Sequence, residues 1–315
     1  MINNKNKLFI AGHNGMVGRS LKRLLDKKNK FKILTVNRIQ LDLRNKALVF
    51  DWFKKNKPDI VINAAGKVGG IITNSVDSID FLNDNIEIGL NLLNASNKYK
   101  VKKFINIGSS CIYPKFSKQP IKEKYLLDGK LEETNKCYAL AKILVVQLCK
   151  EYNEKNKKNF ISIMPTNLYG PFDNYNDHTS HVLAALIKKI YLAKKYNKKV
   201  VEVFGNGKPL REFLYVDDLA DAIYLLLKKK TDHKILNIGS GEEISIINLA
   251  NKIANIVKFE GRFIFNKNKP NGTPRKFLNS KNIRSLGWRP KIKLNEGLKR
   301  TLNAFISNNQ QKHKY

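Results

Sequence analysis

Cysteine is nearly missing. The three present, Cys111, Cys137 and Cys149, have no CxxC spacing and cannot all pair. That argues against a disulfide scaffold and against a zinc site, and for a reducing compartment; no metal is expected. Long apolar runs are missing too: nowhere do eighteen apolar residues follow one another, so no membrane span is expected. The N-terminal stretch passes within a few residues into an apolar run and a glycine-bearing loop, not a small-residue cleavage site. No secretory signal is therefore read, and a cytoplasmic location is expected. Acidic residues are few: 26 Asp and Glu against 59 Lys and Arg leave a formal charge of +33. A nucleic-acid partner would be one reading of that balance. However, lysines dominate, gather at element ends (Lys54-Lys55, Lys188-Lys189, Lys228-Lys229-Lys230) and are rarely interleaved with aromatics. They read as solvated faces whose field attracts anionic substrates, and nucleic acid is not expected.

With 315 residues, 42% of them hydrophobic, the chain can bury one large core or two modest ones. Its first half alternates short apolar runs with helical periodicity. Strands are expected at 7–11, 32–36, 60–63, 104–108 and 160–164. Helices are expected at 15–26, around Leu48, Val49, Trp52 and Phe53, at 80–98 and at 135–153. This rhythm predicts an α/β fold with a Rossmann-like doubly wound parallel sheet. After Pro165 the rhythm changes. Helices near 180–196, 217–229, 246–257 and 294–307 and strands at 200–204, 212–216 and 235–238 suggest a smaller α/β substrate lobe. The expected division is a dinucleotide-binding domain over 1–165, with a return segment near 212–240, and a substrate lobe over 166–315.

Gly12-His13-Asn14-Gly15-Met16-Val17-Gly18 joins the first strand to the first helix in a GxxGxxG spacing. Glycine there permits a tight turn and lets backbone N–H groups approach a pyrophosphate at a helix N-terminus. An NAD site usually places an acid at the end of the second strand for the ribose 2′-OH. Here that strand runs Val36-Asn37-Arg38 with no acid next to it. Arg38 suits a 2′-phosphate, so NADP is the expected cofactor. Asp42 falls where a carboxylate could meet the adenine amine. Ala64, Ala65 and Gly66 end the third strand with small residues that would let backbone pass close to the cofactor.

Tyr138 and Lys142 lie four residues apart on an expected helix and share a face. A lysine ammonium beside a phenol should lower the phenol's pKa, making tyrosine a proton donor and acceptor near neutral pH. Gly108 and Ser109 close the strand before it, and the Ser109 hydroxyl can bond a substrate carbonyl. YxxxK is common by chance; one strand–helix step after GSS and behind a matching glycine loop, it gains meaning.

On these residues the chain resembles the extended short-chain dehydrogenase/reductase family, in its sugar-nucleotide-modifying branch, and within that branch the GDP-L-fucose synthase group. The matching stretches are FIAGHNGMVG, AAGKVGGI, GSSCIYPK, YALAK, MPTNLYGP, the His181 region, REFLYVDD, NIGSG, and GTPRK followed by LGW. The resemblance implies Ser109, Tyr138 and Lys142 as a reductase triad and Cys111 with His181 as an epimerisation acid/base pair. It implies that Pro165, Thr166, Asn167 and Leu168 line the nicotinamide with His181 nearby, and that Lys189, Phe204, Arg211 and Asn271 bind substrate. That substrate would be a GDP-linked 4-keto-6-deoxy sugar, worked on by a homodimer. Asn14, Phe204, Asn271 and Gly66 stand where the group often has arginine, tryptophan, aspartate and alanine, which leaves a related GDP-keto-heptose open. A sugar-nucleotide C4 epimerase or plain 4-ketoreductase would use the triad without Cys111 and His181. A regulator on a dead reductase scaffold is disfavoured by the intact Ser-Tyr-Lys set.

Overall fold

The computed structural model describes residues 6–312, with side chains through residue 308; the first five residues, on which the signal reading partly rests, lie outside it. The first half runs β1 (Lys7–Ala11), α1 (Met16–Lys28), β2 (Lys32–Leu34), α2 (Lys46–Asn56), β3 (Ile60–Asn63), α3 (Ile71–Val76), α4 (Ser78–Lys98), β4 (Lys103–Ile107), α5 (Lys136–Asn156) and β5 (Phe160–Pro165). The second half follows with β6 (Asn167–Tyr169), α6 (Val182–Lys195), β7 (Val200–Phe204), β8 (Leu210–Tyr215), α7 (Val216–Lys228), β9 (Ile235–Ile238), β10 (Glu243–Ser245), α8 (Ile246–Val257), β11 (Arg262–Asn266), β12 (Arg275–Lys276), α9 (Lys281–Ser285) and α10 (Leu294–Lys312).

Six strands form one parallel sheet in the order β2-β1-β3-β4-β5-β9. The strands β3, β4 and β5 are buried along their whole lengths, because helices cover both faces of the sheet. That is why they read as unbroken apolar runs. The period of two still shows in β1. Leu8 and Ile10 enter the core beneath α1 and α7, while Phe9 and Ala11 enter the one beneath α2, α4 and α5. Strand order reverses between β1 and β3, which opens a crevice beyond their carboxyl ends.

The later chain returns to this sheet: β9 pairs with β5, and Leu219, Ile223 and Leu226 of α7 share a core with Leu21 and Leu25 of α1. A second, smaller sheet is built on β8, which pairs with β6, β10 and β12. A parallel ribbon, β7 with β11, lies apart. Residues of α6, α8 and α10 pack a separate core beside them. Strands β6, β10, β11 and β12 were not expected: β6, β10 and β12 have only two or three residues each, and the apolar residues of β11 are framed by Arg262 and Asn266. The expected strand at 32–36 ends at Leu34. Among the described residues no helix is long and apolar enough to cross a membrane, and no cluster of side chains could hold a metal.

Candidate active site

The crevice at the β1–β3 reversal contains a cavity of about 550 Å³, lined by the glycine loop, Asn37, Arg38, Asp42, Arg44 and Ala64 to Gly66. Gly12 has φ +80°, and a Cβ on it would sit 2.7 Å from the Ala64 backbone. A Cβ on Gly18 would lie 2.2 Å from the Gly12 carbonyl oxygen. Only glycine closes this turn. Gly15 caps α1 without a side-chain bond, and the first turn, opened by Met16 and Val17, has no acid. The N-terminus of α1 thus begins beside the cavity that Gly15 lines, and its unpaired first-turn N–H groups and positive dipole end suit a phosphate. The Asn14 carbonyl accepts a bond from Arg19 Nε at 2.8 Å. His13 has its pKa lowered, first by burial, then by Arg19 and Lys22. These features fit a dinucleotide.

Two expectations at the adenosine end need correction. Arg38 is not clear of acids, since the chain folds back to place Asp42 4.0 Å away. Nor is Asp42 a free carboxylate, because Arg44 Nε and NH2 bond both its oxygens at 2.6 to 3.1 Å. The bonds from Arg44 outweigh burial and hold Asp42 down at about 2. Gly108 is buried, and a Cβ on it would strike Met164 Sδ at 2.5 Å. Its missing side chain serves strand packing.

Beyond β4, Ser109 begins a 3-10 turn, Ser110–Ile112, and its hydroxyl accepts a bond from the Cys111 N–H at 3.1 Å. That turn sets Cys111 beside Ser109. Lys276 Nζ donates to Cys111 Sγ at 3.3 Å. Burial raises the Cys111 pKa, but Lys276, Ser109 and Arg211 together lower it below the ordinary thiol value. Tyr138 and Lys142 share a face of α5, the ammonium 5.7 Å from the ring centroid. Burial and then Cys111 raise the Tyr138 pKa, while Ser109 lowers it through a hydrogen bond. The expected lowering by Lys142 is absent. The ammonium lies over the ring instead of at the hydroxyl, and burial pulls Lys142 itself down to about 8, which still leaves it mostly protonated at neutral pH. Gly66 leaves room here: a Cβ would come 2.6 Å from Asn85 Oδ1 and 3.1 Å from Lys142 Nζ. His181 caps α6 with its side chain unbonded and exposed. Desolvation, then Lys276, lowers its pKa.

The expected substrate residues converge from four segments. Lys189 Nζ sits 4.2 Å from the centre of the Phe204 ring. Arg211 NH2 donates to the Asn271 carbonyl at 3.3 Å, and Asn271 Oδ1 accepts from the Asn206 N–H at 2.9 Å. Pairing of β12 with β8 sets Lys276 opposite Arg211, which joins this cluster to the reactive one. Pro165 ends β5 and pairs with Ile238 of β9. Thr166 Oγ1 and Asn167 Nδ2 both bond the Glu212 carbonyl, at 3.0 and 2.8 Å, and Leu168 packs against the main core. This segment offers a ligand backbone more than side chains.

The family model described as "NAD dependent epimerase/dehydratase family" matches residues 8–239. The chain belongs to that family. It is 44% identical over 302 residues to a GDP-L-fucose synthase of Sinorhizobium fredii, covering 96% of each chain. Among solved structures it is similar to a Campylobacter jejuni GDP-6-OMe-4-keto-L-xylo-heptose reductase, with TM-score 0.90, 34% identity and 97% and 99% of the two chains covered. It is also similar to a Naegleria fowleri GDP-L-fucose synthetase bound to NADP, with TM-score 0.88, 29% identity and 97% and 95% covered. Three residues of this family member escaped sequence reasoning: Arg44, Lys276 and Glu212. Lys276 stands inside the quoted GTPRK stretch but carries no local signal of its partner, 165 residues away. Glu212 is fully buried, and its carboxylate accepts the N–H of Gly241 and of Leu278 at 2.7 and 3.0 Å.

Proposed function

We propose that the chain is an NADPH-dependent epimerase-reductase that converts GDP-4-keto-6-deoxy-D-mannose to GDP-L-fucose. The observation that carries this reading is Cys111: a thiol beside Ser109, under the Lys276 ammonium at 3.3 Å. A plain ketoreductase has no use for it. Support also comes from the similarity to a GDP-L-fucose synthase over nearly the whole chain and to a synthetase bound to NADP.

A C4 ketone acidifies the hydrogens on C3 and C5. Cys111, kept toward the thiolate by Lys276, and His181, kept toward the neutral imidazole, together take a proton from one face and return one to the other. Ser109 and Tyr138 bond the C4 oxygen and stabilise the enolate charge. When bound, the cofactor supplies a hydride to C4. Tyr138, whose raised pKa keeps it protonated, then gives the C4 oxygen its proton. Lys142 lies next to Tyr138, where it would hold the nicotinamide ribose. Lys189 and Arg211 offer positive charge to a diphosphate, and Phe204 a ring face to the base.

The test is incubation with NADPH and GDP-4-keto-6-deoxy-D-mannose, with NMR of the product. GDP-L-fucose supports the reading; GDP-rhamnose or GDP-6-deoxytalose removes its epimerase half, and unconsumed NADPH removes all of it. A GDP-keto-heptose is the second reading, favoured by the backbone similarity to the heptose reductase and by Phe204 and Asn271. A larger kcat/KM for that sugar would select it. We place the enzyme in the cytoplasm as a homodimer joined along α5, where Leu140 and Leu144 lie one turn apart, 42% and 39% exposed.

A further inference from the structure

The rim of the cofactor cavity carries four alternating charges. Arg38 lies 4.0 Å from Asp42, Asp42 is bonded by Arg44, and Arg44 NH1 bonds Asp84 at 3.0 Å. Asp42 alone would oppose a ribose 2′-phosphate in two ways. Its charge would repel the phosphate, and it would draw Arg38 into an ion pair. Arg44 counters both. It reaches both carboxylate oxygens through Nε and NH2, and its own backbone N–H bonds Oδ1 at 3.0 Å. Arg38 makes no hydrogen bond to the described residues, and its side chain is 71% exposed. The Nε and NH2 of one guanidinium are thus engaged on Asp42 while its NH1 serves Asp84, and the other guanidinium stays available.

We infer that Arg44 is a specificity-determining residue for the phosphorylated cofactor: it neutralises Asp42 so that Arg38 is free to pair with the 2′-phosphate. The same bonds engage both oxygens with which Asp42 would otherwise accept the 2′-OH of NADH. This rests on the NADPH reading above. An unpaired carboxylate 4.0 Å from the guanidinium that would hold a doubly charged phosphate works against binding even in partly exposed surroundings.

The experiment is calorimetric titration of the full chain with adenosine 2′,5′-bisphosphate and with adenosine 5′-monophosphate, which differ only in the 2′-phosphate. Wild type is expected to bind the bisphosphate more tightly. Arg44→Gln should shrink that preference by about tenfold, with bisphosphate affinity falling and 5′-monophosphate affinity holding or rising as Asp42 gains access to the 2′-OH; an unchanged circular dichroism spectrum reports an intact fold. Adding Asp42→Asn to Arg44→Gln should restore most of the preference, since the charge to be neutralised is gone. A preference undiminished in Arg44→Gln overturns the inference. So does a double variant as weak as the single one, which would make Arg44 a direct phosphate ligand. Equal binding of the two nucleotides by wild type would bring down the NADPH reading along with it.

Discussion

At Cys111 a thiol and an ammonium meet across 165 residues of chain, and the epimerisation proposed above turns on that contact. Cys111→Ser keeps size and polarity but puts a far poorer base in place of the thiolate. With NADP⁺ bound, so that no hydride is available, solvent deuterium should enter C3 and C5 of the ketosugar in wild type and about a hundredfold more slowly in the variant. Incorporation at the wild-type rate would exclude the thiol from proton transfer. Lys276→Gln tests what holds the thiol toward its charged form. Lys276 lowers the Cys111 pKa, so without it the pKa rises. The acid limb of the pH–exchange profile, which reports thiolate formation, should move to higher pH. A limb that stays in place would assign Lys276 to binding only. Ser109, Tyr138 and Lys142 were legible in sequence because each sits in a short contiguous motif. Lys276 and Arg44 were not, since a salt bridge or thiol contact leaves no periodic trace.

At the scale of elements, Glu212 ties three pieces of backbone together. Its carboxylate accepts from the turn after β9 and from the residue two beyond β12, and its carbonyl accepts from Thr166 and Asn167 just after β5. Burial pushes its pKa up to about 7 from 4.5. The folded state therefore holds a proton that the unfolded chain releases between these values. This contribution to stability is present in full below about pH 4.5 and is lost as pH rises toward 7. Asp173, also pushed up to about 7 by burial, acts in the same direction. Glu212→Gln removes the titration and turns an amide toward a backbone N–H. It should lower stability by about 1–3 kcal/mol and flatten the fall in melting temperature between pH 5 and 7. An unchanged slope would place the titration elsewhere. The motif REFLYVDD was visible in the sequence, but the direction of Glu212 was not. Alternation along β8 cannot reveal that a buried carboxylate will find two N–H donors on segments not yet placed.

At the scale of the whole molecule, the half-exposed Leu140 and Leu144 of α5 lie on the helix that also carries Tyr138. If copies pair there, Leu140→Glu with Leu144→Glu should convert a dimer to a monomer by light scattering, with the monomer's secondary structure unchanged by circular dichroism. A wild-type monomer, or a variant that still pairs, would move the interface elsewhere. The sequence by itself determined the parallel sheet, its helical covering and the glycine turn. Those depend on period, run length and the absence of a Cβ, all of them local properties of the chain. It also set Tyr138 and Lys142 on one face of a helix, because the two lie four residues apart. The tertiary structure alone decided that Arg44 answers Asp42, that Lys276 of β12 reaches Cys111, and that Arg211 stands opposite Lys276. Charges act through space: the backbone turn after β2 sets the first of these distances, and strand order with the return of the later chain sets the other two.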